Sequence, residues 1–217
     1  MDTNLAEKTQ KRSMKEWILR LIILAVGVII AHCGVVLFVI SELGVDCFTI
    51  MVQGISRTIG TTVGIAHICT MAIMAIAILK TGYLKIGCLV CVFGSGTVID
   101  LFTWLINGAV SGSSPMFVRV ITMLLGLVIV SFGVSIMIKS DAGTGPQDVI
   151  AVILNDKFPK KKFGIFRMCT DTTYVIIGLI LGGTFGIGTF AAAFLTGPLM
   201  QIFMPPVDKV ISKILAK

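Results

Sequence analysis

Charged residues are scarce in this chain. They make up 13% of its 217 residues, and most of them stand between long apolar runs. A soluble domain has about a quarter of its residues charged, because its surface must face water. Several of the apolar runs exceed the ~18 residues that are typical of a membrane-spanning helix. The scarcity of charge therefore excludes an ordinary soluble domain and predicts an all-α, polytopic protein embedded in a lipid bilayer.

Catalytic signatures are absent as well. The sequence contains no Gly-x-Ser-x-Gly, no His-Glu-x-x-His and no Gly-x-x-x-x-Gly-Lys-Ser/Thr. These motifs build a nucleophile elbow, a zinc site and a phosphate-binding loop. Cys88 and Cys91 have the spacing of zinc ligands, but the second pair of Cys or His that such a site needs is missing. We therefore expect no enzymatic activity, no metal and no cofactor.

The formal net charge of +7 raises the question of nucleic-acid binding. The basic residues stand at the ends of apolar runs, however, and form no basic stripe with interleaved aromatic residues. Cytoplasmic loops of membrane proteins accumulate Lys and Arg in this way. The charge therefore indicates membrane topology and no nucleic-acid partner.

Six apolar runs are long enough to cross a bilayer, and two further helical segments are too short. A dozen helical residues reach about 18 Å, against a hydrocarbon core of about 30 Å. The predicted spans are 17–40, 64–79, 86–106, 116–138, 164–181 and 188–203, and the short segments are 46–57 and 146–157. The order long, short, long, long occurs twice, which indicates an internal repeat.

The second half repeats the landmarks of the first at an offset of 99 to 101 residues. The matching positions include Arg20 with Arg119, Ser41 with Ser140, Gly44 with Gly143, Gly64-Ile65 with Gly164-Ile165, and Cys69-Thr70 with Cys169-Thr170. Equivalent loops differ in charge: four lysines follow the second short segment, whereas Arg57 is the basic residue after the first. By the positive-inside rule, the two halves then lie in opposite orientations.

An inverted repeat of this kind requires three crossings in each half, with short helices that do not cross. The predicted organisation is a cytoplasmic N-terminal arm (1–16), a first membrane repeat (17–107), a linker (108–115), a second membrane repeat (116–205) and a basic cytoplasmic tail (206–217). Both termini then lie in the cytoplasm and the protein in the cell membrane. The competing arrangement has eight crossings and parallel halves; the charge reversal favours six.

The second half also carries a recognisable set of motifs. Residues 140–149 read Ser-Asp-Ala-Gly-Thr-Gly-Pro-Gln-Asp-Val, residues 182–189 contain Gly-Gly and Gly-Ile-Gly-Thr, and residues 197–201 read Gly-Pro-Leu-Met-Gln. This set resembles the YczE/YyaS/YitT family of bacterial membrane proteins, most closely from Gly143 onward. Gln147 stands where that family commonly has an aromatic residue. The resemblance implies a membrane location and a fold, and it carries over no catalytic residue.

The segment from Gly143 to Asp148 predicts a tight turn followed by a helix start. Glycine permits the turn at Gly143 and Gly145, and Pro146 at the first helical position loses no hydrogen bond. Asp148 in the first turn suits the helix dipole. Two interpretations stay open. Either free N–H groups at this end face a buried anion, as in transporters with broken helices, or the segment is a surface turn capped by Asp148.

The first short segment carries a polar stripe on one helical face. Its members are Asp46, Thr49, Gln53, Ser56 and Arg57. Such a stripe fits a helix that lines a polar cavity and equally a helix that lies against lipid headgroups.

Polar residues inside predicted spans are costly and mark functional hypotheses. Asp100 has no partner within its own helix, and its counterpart in the second half is Gln201, so we expect the two to meet near the axis between the halves. Arg167 precedes Asp171 by four residues, so the two either form a helical ion pair near the inner surface or border a solute pathway. The candidate pathway residues are Asp100, Gln201, Asp171, Arg167, Gly143, Gly145, Pro146 and Asp148.

These features predict a small secondary transporter or permease for an unidentified small solute. The alternative is a non-transporting accessory or scaffold protein that assembles with copies of itself or with other membrane proteins. A closed interior without a polar cavity would favour the scaffold. Convergence of polar residues from both halves on one cavity would favour the transporter.

Overall fold

The computed structural model describes residues 13–61, 63–83, 85–106, 113–159, 161–183 and 185–215. Within these ranges the regular secondary structure is helical throughout, which confirms the all-α prediction. The α-helices in the described ranges are α1 (Met14–Ile40), α2 (Cys47–Ile59), α3 (Val63–Ile78), α4 (Ile86–Ile106), α5 (Met116–Lys139), α6 (Pro146–Lys157), α7 (Phe163–Ile180) and α8 (Ile187–Leu215). Most of the predicted N-terminal arm and linker lies outside the described residues.

Among the described residues, four helices, α1, α5, α7 and α8, are long and apolar enough to cross a membrane. They coincide with four of the six predicted spans. The other two predicted spans fall on α3, with 16 residues, and α4, with 21. A 16-residue helix reaches about 24 Å, less than the ~30 Å hydrocarbon core. The short helices α2 and α6 coincide with the two segments predicted to be too short to cross.

The last helix is longer than the sequence predicts. The expected boundary between span and tail lies at 205/206, but α8 continues through Pro205 and Pro206 to Leu215. Val207 and Ile211 are buried in this continuation, and Lys139 of α5 lies 3.2 Å from the carboxylate of Asp208. Packing and ion pairing thus outweigh the hydrogen bonds that proline removes from the helix. The start of the predicted tail is therefore helical.

Helices α1 and α5 form the centre of the molecule and run antiparallel. A Cβ atom at Gly34 of α1 would lie 2.6 Å from the backbone nitrogen of Val130, and one at Gly126 of α5 would lie 2.8 Å from the carbonyl oxygen of Gly34. A glycine can approach a neighbouring backbone where a larger side chain cannot, and small residues serve this purpose between membrane helices. The two backbones are therefore in direct contact.

Two arginines join the ends of this central pair reciprocally. Arg20, near the start of α1, donates a hydrogen bond to the carbonyl oxygen of Ser140 at 2.9 Å, just beyond the end of α5. Arg119, near the start of α5, donates to the carbonyl oxygen of Ser41 at 2.8 Å, just beyond the end of α1. The last carbonyl groups of a helix have no partner within it, so each arginine satisfies an otherwise free acceptor.

The turns that follow α1 and α5 have the same backbone geometry. Gly44 and Gly143 have φ angles of +145° and +136°, a region that side chains rarely adopt. Next to them, Gly188 donates its N–H to the carbonyl oxygen of Leu43 at 2.8 Å, and Gly87 donates to that of Ala142 at 3.1 Å. Each turn is thereby attached to the start of a helix in the opposite half of the chain.

The helix contacts occur in matching sets. Helix α1 packs on α4 and α5 packs on α8, while α2 packs on α7 and α6 packs on α3. These pairings of the first half thus have counterparts, by position, in the second half, whereas the contacts of α8 with α1 and α2 have none of similar extent at α4 among the described residues.

Polar contacts define two ends of the molecule. At the first end, Lys85 in the α3–α4 turn donates to the backbone oxygen of Asp141 at 3.0 Å, close to Arg20. Tyr83 in the same turn hydrogen-bonds Asp156 near the end of α6, and burial together with this carboxylate raises the pKa of the Tyr83 hydroxyl. At the second end, Arg57 of α2 donates to the carbonyl oxygen of Gly182 in the α7–α8 turn.

The glycine contact between α1 and α5 generates a stability prediction. Gly34→Ala places a methyl group against backbone atoms of α5, so the helices must separate, and we expect a loss of about 1–3 kcal/mol. The measurement is the midpoint of unfolding in detergent micelles. Gly94→Ala is the matched control, because its Cβ would meet its nearest neighbour, Val28, at 3.8 Å. Equal midpoints for the two variants would contradict the close approach of the backbones.

Candidate functional site

A polar cavity of about 90 Å³ lies between the middle of α1 and α5 and the starts of α2 and α6. A buried water molecule needs only about 10–15 Å³ of such space, so the cavity has room for a small solute. Residues of α3, α4, α7 and α8 complete its wall. Its polar lining consists of His32, Asp46, Thr49, His67, Gln147, Asp148, Arg167, Asp171 and Thr196.

Both short helices begin at this cavity. Asp46 is the N-cap of α2, and its carboxylate accepts hydrogen bonds from the backbone N–H groups of Phe48 and Thr49, each at 3.1 Å. The start of α6 is different, since its N-cap is Gly145 and Pro146 occupies the first helical position. The positive end of the α2 dipole therefore meets a carboxylate of its own helix, whereas the start of α6 has no capping side chain at its N-cap.

The guanidinium group of Arg167 is held between two carboxylates. Its Nε donates to Oδ2 of Asp171 at 3.0 Å, and its Nη1 donates to Oδ1 of Asp148. Arg167 is 8% exposed and each aspartate is 1% exposed. The helical ion pair predicted from the sequence is thus present, but it lies inside the protein and includes a third residue from α6.

The charges of this cluster do not balance. One guanidinium faces two carboxylates, and Oδ2 of Asp148 and Oδ1 of Asp171 have no hydrogen-bond partner among the described residues. The amide oxygen of Gln147 is also buried without a partner there. An unpaired buried carboxylate oxygen is expensive, and the residues that line the cavity therefore include acceptors that the described structure leaves unsatisfied.

Aromatic contacts connect the cluster to neighbouring helices. The hydroxyl of Tyr174 in α7 donates to the backbone oxygen of Gln147 in α6 at 2.8 Å. The ring of Phe48 in α2 packs edge-on against Tyr174 and His67, with centroids 5.7 and 5.3 Å away. The starts of both short helices are therefore fixed to α3 and α7, which also line the cavity.

The predicted site residues of the second half partly converge. Asp148, Arg167 and Asp171 meet at the cavity, and Gly143, Gly145 and Pro146 shape the approach to α6. The interpretation that Asp148 caps its own helix is wrong: one carboxylate oxygen binds Arg167, and the other has no partner within the described residues.

One of the other two candidates, Gln201, lies apart from this cluster. Gln201 lies at the contact of α7 with α8, where a Cβ atom at Gly164 would come 3.0 Å from its Oε1, and it is not among the described residues that line the cavity. Asp100 belongs to α4, but its side chain lies outside the described part of the structure. The meeting of Asp100 with Gln201 therefore stays a prediction.

Three lining residues occupy informative positions in the sequence. Asp46 and Thr49, at the start of the polar stripe of α2, line the cavity, whereas Gln53, Ser56 and Arg57 are not among its described lining residues, so both interpretations of the stripe stay open. His67 was not selected from the sequence. The available signal was its place 100 residues before Arg167, within the offset that relates the other landmarks.

This is a helical membrane protein with a cavity whose mixed polar and apolar lining includes the three buried charged side chains. Within that class, the chain belongs to a family of unknown function (DUF6198), which matches residues 18–205. It is similar to the uncharacterized protein YyaS of Bacillus subtilis (strain 168), at 28% identity over 186 residues, which cover 85% of this chain and 92% of YyaS. The resemblance to the YczE/YyaS family is thereby confirmed.

Two further relatives match with similar coverage. The uncharacterized membrane protein YczE of Bacillus subtilis (strain 168) is 25% identical over 194 residues, covering 88% of each chain. An uncharacterized protein of Haemophilus influenzae (strain ATCC 51907 / DSM 11121 / KW20 / Rd) is 26% identical over 169 residues, covering 77% of this chain and 75% of its own. No solved structure matches the chain.

The charge cluster generates a second stability prediction. Arg167→Gln leaves two buried carboxylates without a cation, and we expect a loss of about 3–5 kcal/mol, measured as unfolding by denaturant in micelles. Adding Asp148→Asn and Asp171→Asn removes both negative charges and should restore much of the loss. Arg57→Gln, at an exposed arginine, is the matched control. A triple variant no more stable than Arg167→Gln alone would contradict the pairing.

Proposed function

We propose that this protein is a small secondary transporter whose solute binds in the polar cavity. The observation that carries the proposal is that both short helices begin at one cavity, whose lining residues include acceptor oxygens with no partner among the described residues. In many transporters the solute site lies near the middle of the bilayer, where the starts of broken helices meet at the interface between repeats. The proposal gives the chain no enzymatic role.

The contacts support an inverted repeat with six spans. Arg20 reaches the residue after α5 while its counterpart Arg119 reaches the residue after α1, so equivalent helices contact each other in opposite directions. The contacts of the short helices are reciprocal in the same way: α2 of the first half packs on α7 of the second, and α6 of the second half packs on α3 of the first. A two-fold axis in the membrane plane between α1 and α5 accounts for both.

Equivalent positions of the two halves also line the cavity in pairs. At the offset predicted from the sequence, Thr49 corresponds to Asp148, His67 to Arg167 and Val35 to Val134, and all six residues line the cavity. The cavity thus lies where the proposed axis passes. Rocking of one half against the other would open such a cavity to alternate sides of the membrane.

The distribution of basic residues supports an orientation in the cell membrane with both termini in the cytoplasm. Arg20, Lys85 and Lys139 lie at the first end of the molecule, and the lysines after α6 follow a helix that ends there. The second end carries Arg57 and Arg119. The positive-inside rule places the first end in the cytoplasm.

Labelling tests the topology. In a chain whose native cysteines are replaced, Thr81→Cys and Lys161→Cys should react with a membrane-impermeant maleimide only after the cells are opened. Thr61→Cys and Phe185→Cys should react in intact cells. All four residues are exposed. Labelling of positions 81 and 161 from different sides would end the inverted-repeat proposal.

Flux in proteoliposomes tests transport itself. We expect a panel of small solutes to include one that the wild-type protein moves, and Asp171→Asn to slow that movement at least tenfold because the substitution removes a charge from the cavity. Asp100→Asn tests whether that residue also borders the pathway. Asp208→Asn, which disrupts a peripheral ion pair with Lys139, is the control and should leave flux unchanged. Absence of flux for every solute would contradict the proposal.

A scaffold role is the second candidate, and one surface feature favours it. An apolar groove of about 390 Å³ lies between α1, α5 and α8, lined by aliphatic residues, Phe132 and Pro206. A groove of this kind fits a transmembrane helix of a partner or lipid tails. Purification in native lipid particles separates the two functions, because a scaffold retains a stoichiometric partner whereas a transporter binds its solute alone.

A further inference from the structure

We infer that the cavity binds a small alkylammonium ion through the free carboxylate oxygens of Asp148 and Asp171. This inference rests on the proposed function in that it names the class of solute for the same cavity. The binding of this ion depends on the charges and hydrogen bonds of the residues that line the cavity. Binding at equilibrium can be measured whether or not the protein transports the ion.

The buried ionic side chains beside the cavity carry unequal numbers of positive and negative charges. Asp148, Arg167 and Asp171 together carry one negative charge more than positive, and all three are almost completely buried. Asp46 adds a further carboxylate to the lining, although the N–H groups of α2 stabilise it. A buried group of like charges is unstable unless an opposite charge enters or a proton is taken up. The cavity therefore favours a cation.

The unpaired hydrogen-bonding atoms of the lining residues are all acceptors. Oδ2 of Asp148, Oδ1 of Asp171 and Oε1 of Gln147 are acceptors that have no donor among the described residues. A proton on one carboxylate supplies a single donor. A primary ammonium group supplies three donors with its charge. The ammonium ion thus matches both the missing charge and the missing donors.

The aromatic and aliphatic residues that line the cavity determine which group can accompany the ammonium group in the ligand. The ring of Phe48 lines the cavity, and ammonium ions are attracted to aromatic faces. Val35, Ile99 and Leu127 add aliphatic surface. A short alkyl chain on the ammonium group would cover this surface. The volume of about 90 Å³ limits the ligand to a small one.

Two other ligand classes fit less well. An anion at the start of α6 would face three carboxylates. Nε and Nη1 of Arg167 already donate hydrogen bonds to two of these carboxylates. A metal ion would need a compact set of ligands, and the described residues contain no group of three His, Cys, Asp or Glu side chains arranged to hold one. The anion interpretation of the Gly143–Asp148 segment is therefore disfavoured by the acidic surroundings.

The experiment measures binding to the purified full chain in lipid nanodiscs at constant ionic strength. Titration calorimetry with methylammonium and ethylammonium should show saturable binding to one site. Tetramethylammonium, which has the charge without N–H donors, should bind at least tenfold more weakly, and ethanol and acetate should not bind. Asp148→Asn and Asp171→Asn should each weaken ethylammonium binding at least tenfold, while Asp208→Asn should bind as the wild type does.

The outcomes separate the inference from the proposed function. Binding of ethylammonium without flux upholds the inference and speaks against a transporter. Flux of another solute without ammonium binding overturns the inference and leaves the transporter in place. Equal binding by wild type and a folded double variant, Asp148→Asn with Asp171→Asn, overturns it too. Proton uptake by the wild type with no ammonium binding shows that protonation balances the charge, and it likewise overturns the inference.

Discussion

The direct backbone contact between α1 and α5 is the constraint on which the rest of the structure depends. Glycines at the crossing let two long antiparallel helices approach more closely than larger side chains would allow. Because the pair is antiparallel and in contact, the arginine near the start of each helix reaches the end of the other. The turns that leave those ends then direct α2 and α6 toward the middle of the molecule, where both helices begin at the cavity.

Charge in an apolar interior sets the character of that cavity. Arg167 can be buried because two carboxylates surround it, and the carboxylates can be buried because they share it. The arrangement nevertheless leaves one oxygen of each aspartate without a partner in the described structure. Buried ionic side chains with unpaired oxygens lower the stability of the fold. In proteins they occur mainly where a ligand or a proton supplies the missing partner. Aliphatic side chains at these three positions would fill the space equally well.

Local patterns in the sequence predicted most of the helices and the Arg167–Asp171 pair, since helical periodicity and i,i+4 spacing are properties of one segment. The addition of Asp148 could not be predicted, because it lies 19 residues from Arg167 and joins it only through the packing of α6 on α7. The continuation of α8 past Pro205 and Pro206 was missed for a similar reason. Proline signals a helix end locally, whereas the burial of Val207 and Ile211 is a tertiary effect.

The three charged residues of the cluster all belong to the second half of the chain. Their counterparts in the first half are Thr49, His67 and Met71. Under the proposed duplication, an ancestral pair of identical halves carrying this cluster would have enclosed two guanidinium groups and four carboxylates in one small space. Such crowding is untenable in a low-dielectric interior. Under this duplication the halves have therefore diverged in charge, so that the second half contributes the ion cluster, the first half contributes different side chains at the matching positions, and the two copies are no longer interchangeable.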